Sequence, residues 1–423
     1  MKHTLLAASL LAVTLSGCMD LFSDEDHPFD RPLADMDFHV DAGDRAAADI
    51  DWPDFTGANL TILSHGAFAA FDTASARFTQ LTGAQVHEVP ADDTGSALNR
   101  AALDAGDAQF DILYGIDNIL LQKALDAGIF EPYTPRLGGL IEQDHVFFDL
   151  SPWPATPVDH GYIALNVDAD HPLLDATEQE GCDAVADGRD VPAERQDGNV
   201  SVVRSLADVR ALACLFVTQN PNLSTPGLGF LLMTIDAFGE DDAYDWVDYW
   251  QELLRGPDGE ACTGDETKIT SGWSEAYENH FPGGYGNADW NSAYVGGYPI
   301  VTSYTESPAY EAYFGSTDVA EVPLQAGAFH QIQTMGILAG TKQLAVAQAW
   351  IEFTLTDDFQ NLAAAENAVY PVTGLRTDDV YGDVDPEPGT FATVALDWHE
   401  IGSKLDGWLD TWQQVFEDHS CTV

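Results

Sequence analysis

The sequence predicts an α/β protein of two lobes, with the backbone crossing between them more than once. Three observations carry that expectation. The chain has 423 residues, 45% hydrophobic and 11% aromatic, enough to fill a core and long enough that two lobes suit it better than one. From residue 60 strand-like and helix-like segments alternate, the order that gives parallel strands with right-handed crossovers. Two polar excursions, near 171–199 and 283–297, interrupt that alternation as insertions rather than as separate cores.

Taken in order, residues 60–63 read as a strand, 69–81 as a helix stopped by Gly83, and 85–89 as a strand. Residues 96–103 follow as a helix, 110–114 as a strand, and 119–127 as a helix ended by Gly128. Ligands of parallel sheets gather beyond the carboxyl ends of the strands, where this chain has His65, Asp93 and Asp117. Residues 161–167 form a further strand that leaves the first lobe. The second lobe then shows a strand at 214–217 and a helix opened by Ser224-Thr225-Pro226-Gly227, with Ser in the N-cap position and Pro in the first turn. Ser307-Pro308 opens another helix, 331–338 reads as a strand, and 345–355 as an amphipathic helix. The expected division is 58–157 for the first part of lobe 1, 158–335 for lobe 2, 336–375 for a return to lobe 1, and 376–423 for terminal helices that the pattern assigns to neither.

Sixteen Lys and Arg face 70 Asp and Glu, a formal charge of −54. So few basic residues form no phosphate-binding patch, which excludes nucleic-acid functions. An excess of carboxylates is also what keeps a surface hydrated in high salt. Residues 19 to 57 are crowded with Asp and Glu, lack apolar periodicity, and read as a solvated tether. Before them, a basic start, an apolar run from Leu5 to Val13 and the ending Leu15-Ser16-Gly17-Cys18 have the form of an export signal over 1–17. That ending resembles the lipobox of bacterial lipoproteins, which implies that Cys18 is the lipidated membrane anchor. Cys182, Cys214, Cys262 and Cys421 remain, an even number in an oxidising compartment, so two disulfides are expected with three connectivities open. No Cys or His spacing matches a structural zinc motif, and neither metal nor cofactor is expected from sequence.

Four ordered motifs carry a resemblance: residues 115–121 (GIDNILL), 224–229 (STPGLG), 272–277 (GWSEAY) and 303–310 (SYTESPAY), with Tyr370-Pro371-Val372 near the end. From about residue 60 to the terminal helices the chain resembles the thiamine-binding proteins of bacterial ABC importers. The resemblance implies a type II periplasmic-binding fold, a monomer that captures thiamine, thiamine monophosphate or thiamine diphosphate without chemistry, and docking on an ABC permease. It implies that Trp273, Tyr304 and Tyr310 line the pocket with the carboxylate of Asp93, and that Ser224 with the backbone of Thr225 and Gly227 meets phosphate. Asp117 is equally an N-cap and a ligand contact. The chain departs from the family at His65, where relatives place Tyr, at Thr94, where they place Gly, and at Ala368, where they place Trp. Glu306 reads as solvated, with balancing the ligand's cation as the alternative.

Enzyme signatures are weak. Residues 272–276 approach a nucleophile elbow without its last Gly, and phosphate-loop, dinucleotide and His-Glu-x-x-His patterns are missing. A thiaminase of the same fold would need an unpaired, activated Cys. Ferric iron capture would use adjacent tyrosines, and the sequence contains no Tyr-Tyr pair.

Overall fold

A computed structural model describes residues 27–419, except 42, 67, 92, 105–108, 169–202, 241–242, 283–296, 314–318, 323 and 376–391. Cys18, Cys182 and Cys421 lie outside the described residues, as does almost all of both expected insertions. No helix among the described residues is long and apolar enough to cross a membrane.

The first lobe follows the alternation. Strand β1 (Asn59–Ser64) runs parallel to β2 (Gln85–Pro90) and to β3 (Ile112–Asp117). Helices α1 (Phe71–Thr82), α2 (Thr94–Leu103) and α3 (Leu121–Asp126) complete the crossovers. Gly83 ends α1 as expected, in the left-handed conformation, its N–H donating to Thr79 O.

Strand β4 (Thr156–Asp168) is buried along its whole length and is the hinge of the architecture. Its first half pairs antiparallel with the late strand β9 (Phe329–Ile337), and its second half pairs antiparallel with β7 (Ile300–Tyr304). In the second lobe β5 (Phe216–Gln219) lies parallel between β7 and β6 (Lys268–Thr270). One sheet results, in the order β2-β1-β3-β9-β4-β7-β5-β6, with β8 (Val319–Val322) and β10 (Tyr370–Pro371) also paired to β4. Both lobes therefore hang on β4 and β9, the two strands shared between them.

Each lobe has its own core. In lobe 1, Phe78, Trp350 and Phe353 pack among β1, α1 and helix α9 (Leu344–Thr354), which is followed by α10 (Asp357–Asn367). In lobe 2, short α4 (Leu206–Ala211), α5 (Thr225–Phe238) and α6 (Trp246–Leu253) bury Phe230 and Trp250. Helices α7 (Trp273–Asn279) and α8 (Ser307–Tyr313) border the space between lobes. The last helix, α11 (Trp398–His419), sets Trp412 edge-on against Trp250 at 5.5 Å in the core of lobe 2. It also reaches α3 of lobe 1 through Lys123 Nζ to Asp406 Oδ1 at 3.1 Å.

One expectation is corrected. The acidic stretch read as a tether is docked from residue 29 onward, where Phe29 O accepts from Ala345 N at 3.0 Å, because apolar residues spaced without period still reach the lobe 1 core. Leu33 and Phe55 are 1% and 0% exposed. Gln348 Oε1 accepts from Leu33 N at 2.7 Å, and Arg45 Nε pairs with Asp357 at 3.0 Å. The segment is part of lobe 1.

Candidate functional site

A cleft of about 900 Å³ opens between the lobes at the carboxyl ends of β1 and β2, with Tyr114 of β3 on its floor. Of the residues singled out from sequence, His65, Asp93, Ser224, Thr225, Trp273, Tyr304 and Tyr310 line it, together with Thr94 and Ala368. Asp117 and Gly227 do not. Asp117 is 1% exposed and accepts from Ile119 N, Leu120 N and Gln331 Nε2, so it caps the turn before α3 and orients the cleft amide of Gln331. Gly227 packs the first turn of α5 against the carbonyl of Gln219, where a side chain would collide.

The polar groups are tied before any ligand arrives. Asp93 Oδ1 accepts from Ser96 N at 2.7 Å as the N-cap of α2. Ser224 holds the N-cap position of α5 without a side-chain bond to that helix, leaving its hydroxyl on the cleft side. His65 Nε2 donates to Gln333 Oε1 at 2.7 Å, and its ring lies 4.9 Å from that of Tyr114. Burial lowers the His65 pKa, so the imidazole adds no positive charge. Room for this ring comes from Gly115 (φ +104), where a Cβ would sit inside the imidazole.

The second wall is aromatic. Trp273 stacks on Tyr277 with centroids 4.8 Å apart and planes within 17°, and its indole N–H donates to Ser303 Oγ at 2.9 Å. Both rings line the cleft, the Trp half-buried and Tyr277 buried, and the stack fixes the Trp in place.

Charge distinguishes this cleft most clearly. Asp93, Glu275, Glu278, Glu306, Glu311 and Glu366 line it, and no described Lys or Arg does. Glu306 is not solvated as expected: it is 3% exposed, beside Gly161 of β4, with Thr305 Oγ1 donating to it at 3.1 Å. Desolvation pushes its carboxyl up to about 8. Burial likewise raises Asp159, which accepts from Tyr114 Oη at 2.7 Å, to about 7, and Asp117 to about 6. The Oδ1 of Asp159 is buried without a partner among the described residues.

Sequence reasoning missed Tyr114, Tyr277, Gln331, Gln333 and the burial of Glu306. The two glutamines carried a usable signal, since polar residues two apart in a strand with apolar neighbours share one face.

No family profile matches the chain. It is similar to the thiamine-binding periplasmic protein of Escherichia coli, at 25% identity over 368 residues, 86% of this chain and 95% of the relative. The protein of the same description from Haemophilus influenzae is 23% identical over 339 residues, 78% of this chain and 82% of the relative. Among solved structures a periplasmic thiamin binding protein aligns with TM-score 0.61 at 22% identity, covering 84% of this chain and 96% of the other. The binding protein AfuA of Actinobacillus pleuropneumoniae, with fructose-6-phosphate bound, aligns at 0.63 and 14% identity over 86% and 99%. A ferric binding protein from Campylobacter jejuni aligns at 0.62 and 13% over 84% and 99%. The resemblance carried by the sequence motifs is borne out, and the fold is the two-lobed type II periplasmic-binding fold.

Proposed function

We propose that this chain is a lipid-anchored, extracytoplasmic binding protein that captures thiamine between its lobes and delivers it to an ABC permease. The observation that carries the reading is a cleft walled by six carboxylates and a stacked Trp, without a described Lys or Arg. Thiamine presents a flat aminopyrimidine and a permanently cationic thiazolium. A cation about 4 Å from a carboxylate at an effective dielectric near 20 gains about 4 kcal/mol. A cation-π contact adds roughly 0.5–2 kcal/mol. The carboxylates therefore dominate recognition and the aromatic face orients. The curated relatives, described as thiamine-binding, support the choice of cation.

The same charge argues against the phosphorylated forms. A phosphate arm would have only the amino end of α5, with Ser224 and Thr225, to set against the surrounding acids. Closure of the lobes about β4 and β9 would follow as a shift of population toward the bound form that a permease recognises. Cys18 would hold the protein at the membrane, and Cys182 and Cys421 would join Cys214 and Cys262, both of which are disulfide-bonded. No cysteine is among the described residues lining the cleft, which disfavours a thiaminase.

Isothermal titration of the chain lacking residues 1–18, in high salt, tests this. Thiamine should bind with micromolar Kd or tighter, the monophosphate more weakly and the diphosphate most weakly, all without turnover. Tightest binding of the diphosphate would overturn the charge argument, and no binding of any form would discard the vitamin while leaving the fold.

A further inference from the structure

Behind the cleft, on the other face of the two shared strands, three imidazoles meet. Side chains alternate along a strand. Gly161 of β4 and Gln331 of β9 are register partners that face the cleft. His160 and His330, one position away on each strand, therefore face away from it. His145, at the end of a short 3-10 turn (Gln143–His145), closes the group. Its ring centroid is 4.0 Å from that of His160 and 5.6 Å from that of His330. One ligand nitrogen from each of the three lies within 4.8 Å of the others, and carboxylate oxygens of Glu142 and Asp144 come equally close to His145 and to each other.

We propose that His145, His160 and His330, completed by Asp144 or Glu142, form a binding site for a divalent transition metal of the zinc class on the back of the crossing strands. The spacing fits: His330 Nε2 is 3.2 Å from His160 Nδ1, and two nitrogens at zinc-ligand distance on a tetrahedral ion lie roughly 3.3 Å apart. Imidazole with carboxylate is a donor set that zinc, copper and nickel accept. The orientation of His145 fits as well. Its Nδ1 is 3.2 Å from Val372 O, and an N–H donated there leaves Nε2 with a free lone pair, the arrangement that orients metal-binding histidines.

His145 and His160 are buried, whereas His330 is half-buried and Glu142 and Asp144 are exposed, which gives an ion a path in. A hydrogen bond shared by His160 and His330 accounts for two of the rings. The third ring and the adjacent carboxylates make the set one for a cation. A bound ion would clamp the 143–145 turn of lobe 1 to both strands on which the lobes hang. This inference does not depend on the ligand of the cleft.

The test uses zinc itself on the chelator-stripped chain in high salt. One zinc per chain should bind, cobalt substitution should give the visible absorption of a tetrahedral nitrogen and oxygen site, and Tm should rise with added zinc by mass action. His330→Gln, which keeps a polar group at the most exposed of the three histidine positions, should weaken zinc at least about tenfold and abolish the Tm gain. His280→Ala, outside the cluster, should keep both. Sub-stoichiometric uptake, or equal zinc affinity in His330→Gln with the circular dichroism of the parent, would overturn the site. Should His330→Gln misfold, the cobalt spectrum of the parent decides: an octahedral, oxygen-type spectrum would equally overturn it.

Discussion

Gly161 and Gln331 look into a cleft rimmed by carboxylates, while His160 and His330, one residue away on the same strands, look into a cluster of imidazoles. Burial acts on both faces and drives opposite shifts. It raises the acids on the cleft side, Glu306 to about 8 and Asp159 to about 7, and lowers His330 on the back to about 4. Each face is thus pushed toward neutrality when empty. The difference lies in what restores an interaction. A cation in the cleft recovers the charge of a carboxylate, whereas an ion on the back would use the lone pair of an imidazole that is already neutral.

The comparison breaks most directly at Glu306. Glu306→Gln should weaken thiamine on the order of a hundredfold, as expected for loss of a close charge at intermediate dielectric, with zinc uptake unchanged. The parent's affinity should also tighten as pH rises toward about 8, where Glu306 ionises, and this dependence should flatten in the variant. Calorimetry at several pH values reads both, and parental affinity in Glu306→Gln would remove the carboxylate from recognition.

A smaller effect is expected on the aromatic wall. Trp273→Ala should cost about tenfold in affinity, near the upper range of one desolvated cation-π contact. Tyr277→Ala, which takes away the stacked support at 4.8 Å, should lose part of that, and Tyr277→Phe almost none. Equal affinity for Trp273→Ala and the parent would sink the wall.

The smallest expected effect concerns the empty protein. In the unfolded chain these acids ionise near their ordinary values, 3.8 for Asp and 4.5 for Glu. Between about pH 6.5, above which the unfolded histidines have lost their protons, and pH 8 the unfolded state therefore binds fewer protons, and stability falls as pH rises. Thermal melts should show Tm declining over that window, less steeply in Glu306→Gln and less steeply with thiamine bound. A parent and variant with the same slope would show that Glu306 is not held protonated by burial.

The order of strands and helices was legible because periodicity is local. Helix α5 begins at Ser224-Thr225-Pro226 and α1 stops at Gly83 for reasons contained in a few residues. The strands at the lobe crossing were legible only in part, since β4 is buried throughout and shows no alternation from which to read its faces. The docking of residues 29–55 was hidden because Phe29 and Leu33 meet their partners across long chain separations.

Composition, the four ordered motifs and the spacing of turn residues determined by themselves the fold class, the two lobes and seven of the nine expected ligand-binding residues now found in the cleft. Tertiary structure alone decided that Asp117 and Gly227 support the site from behind, that Glu306 is buried rather than solvated, and that His145, His160 and His330 meet. The physical reason is the same in each case. Burial and charge environment are set by residues distant in the chain, so they arise only when β4 and β9 bring the lobes together.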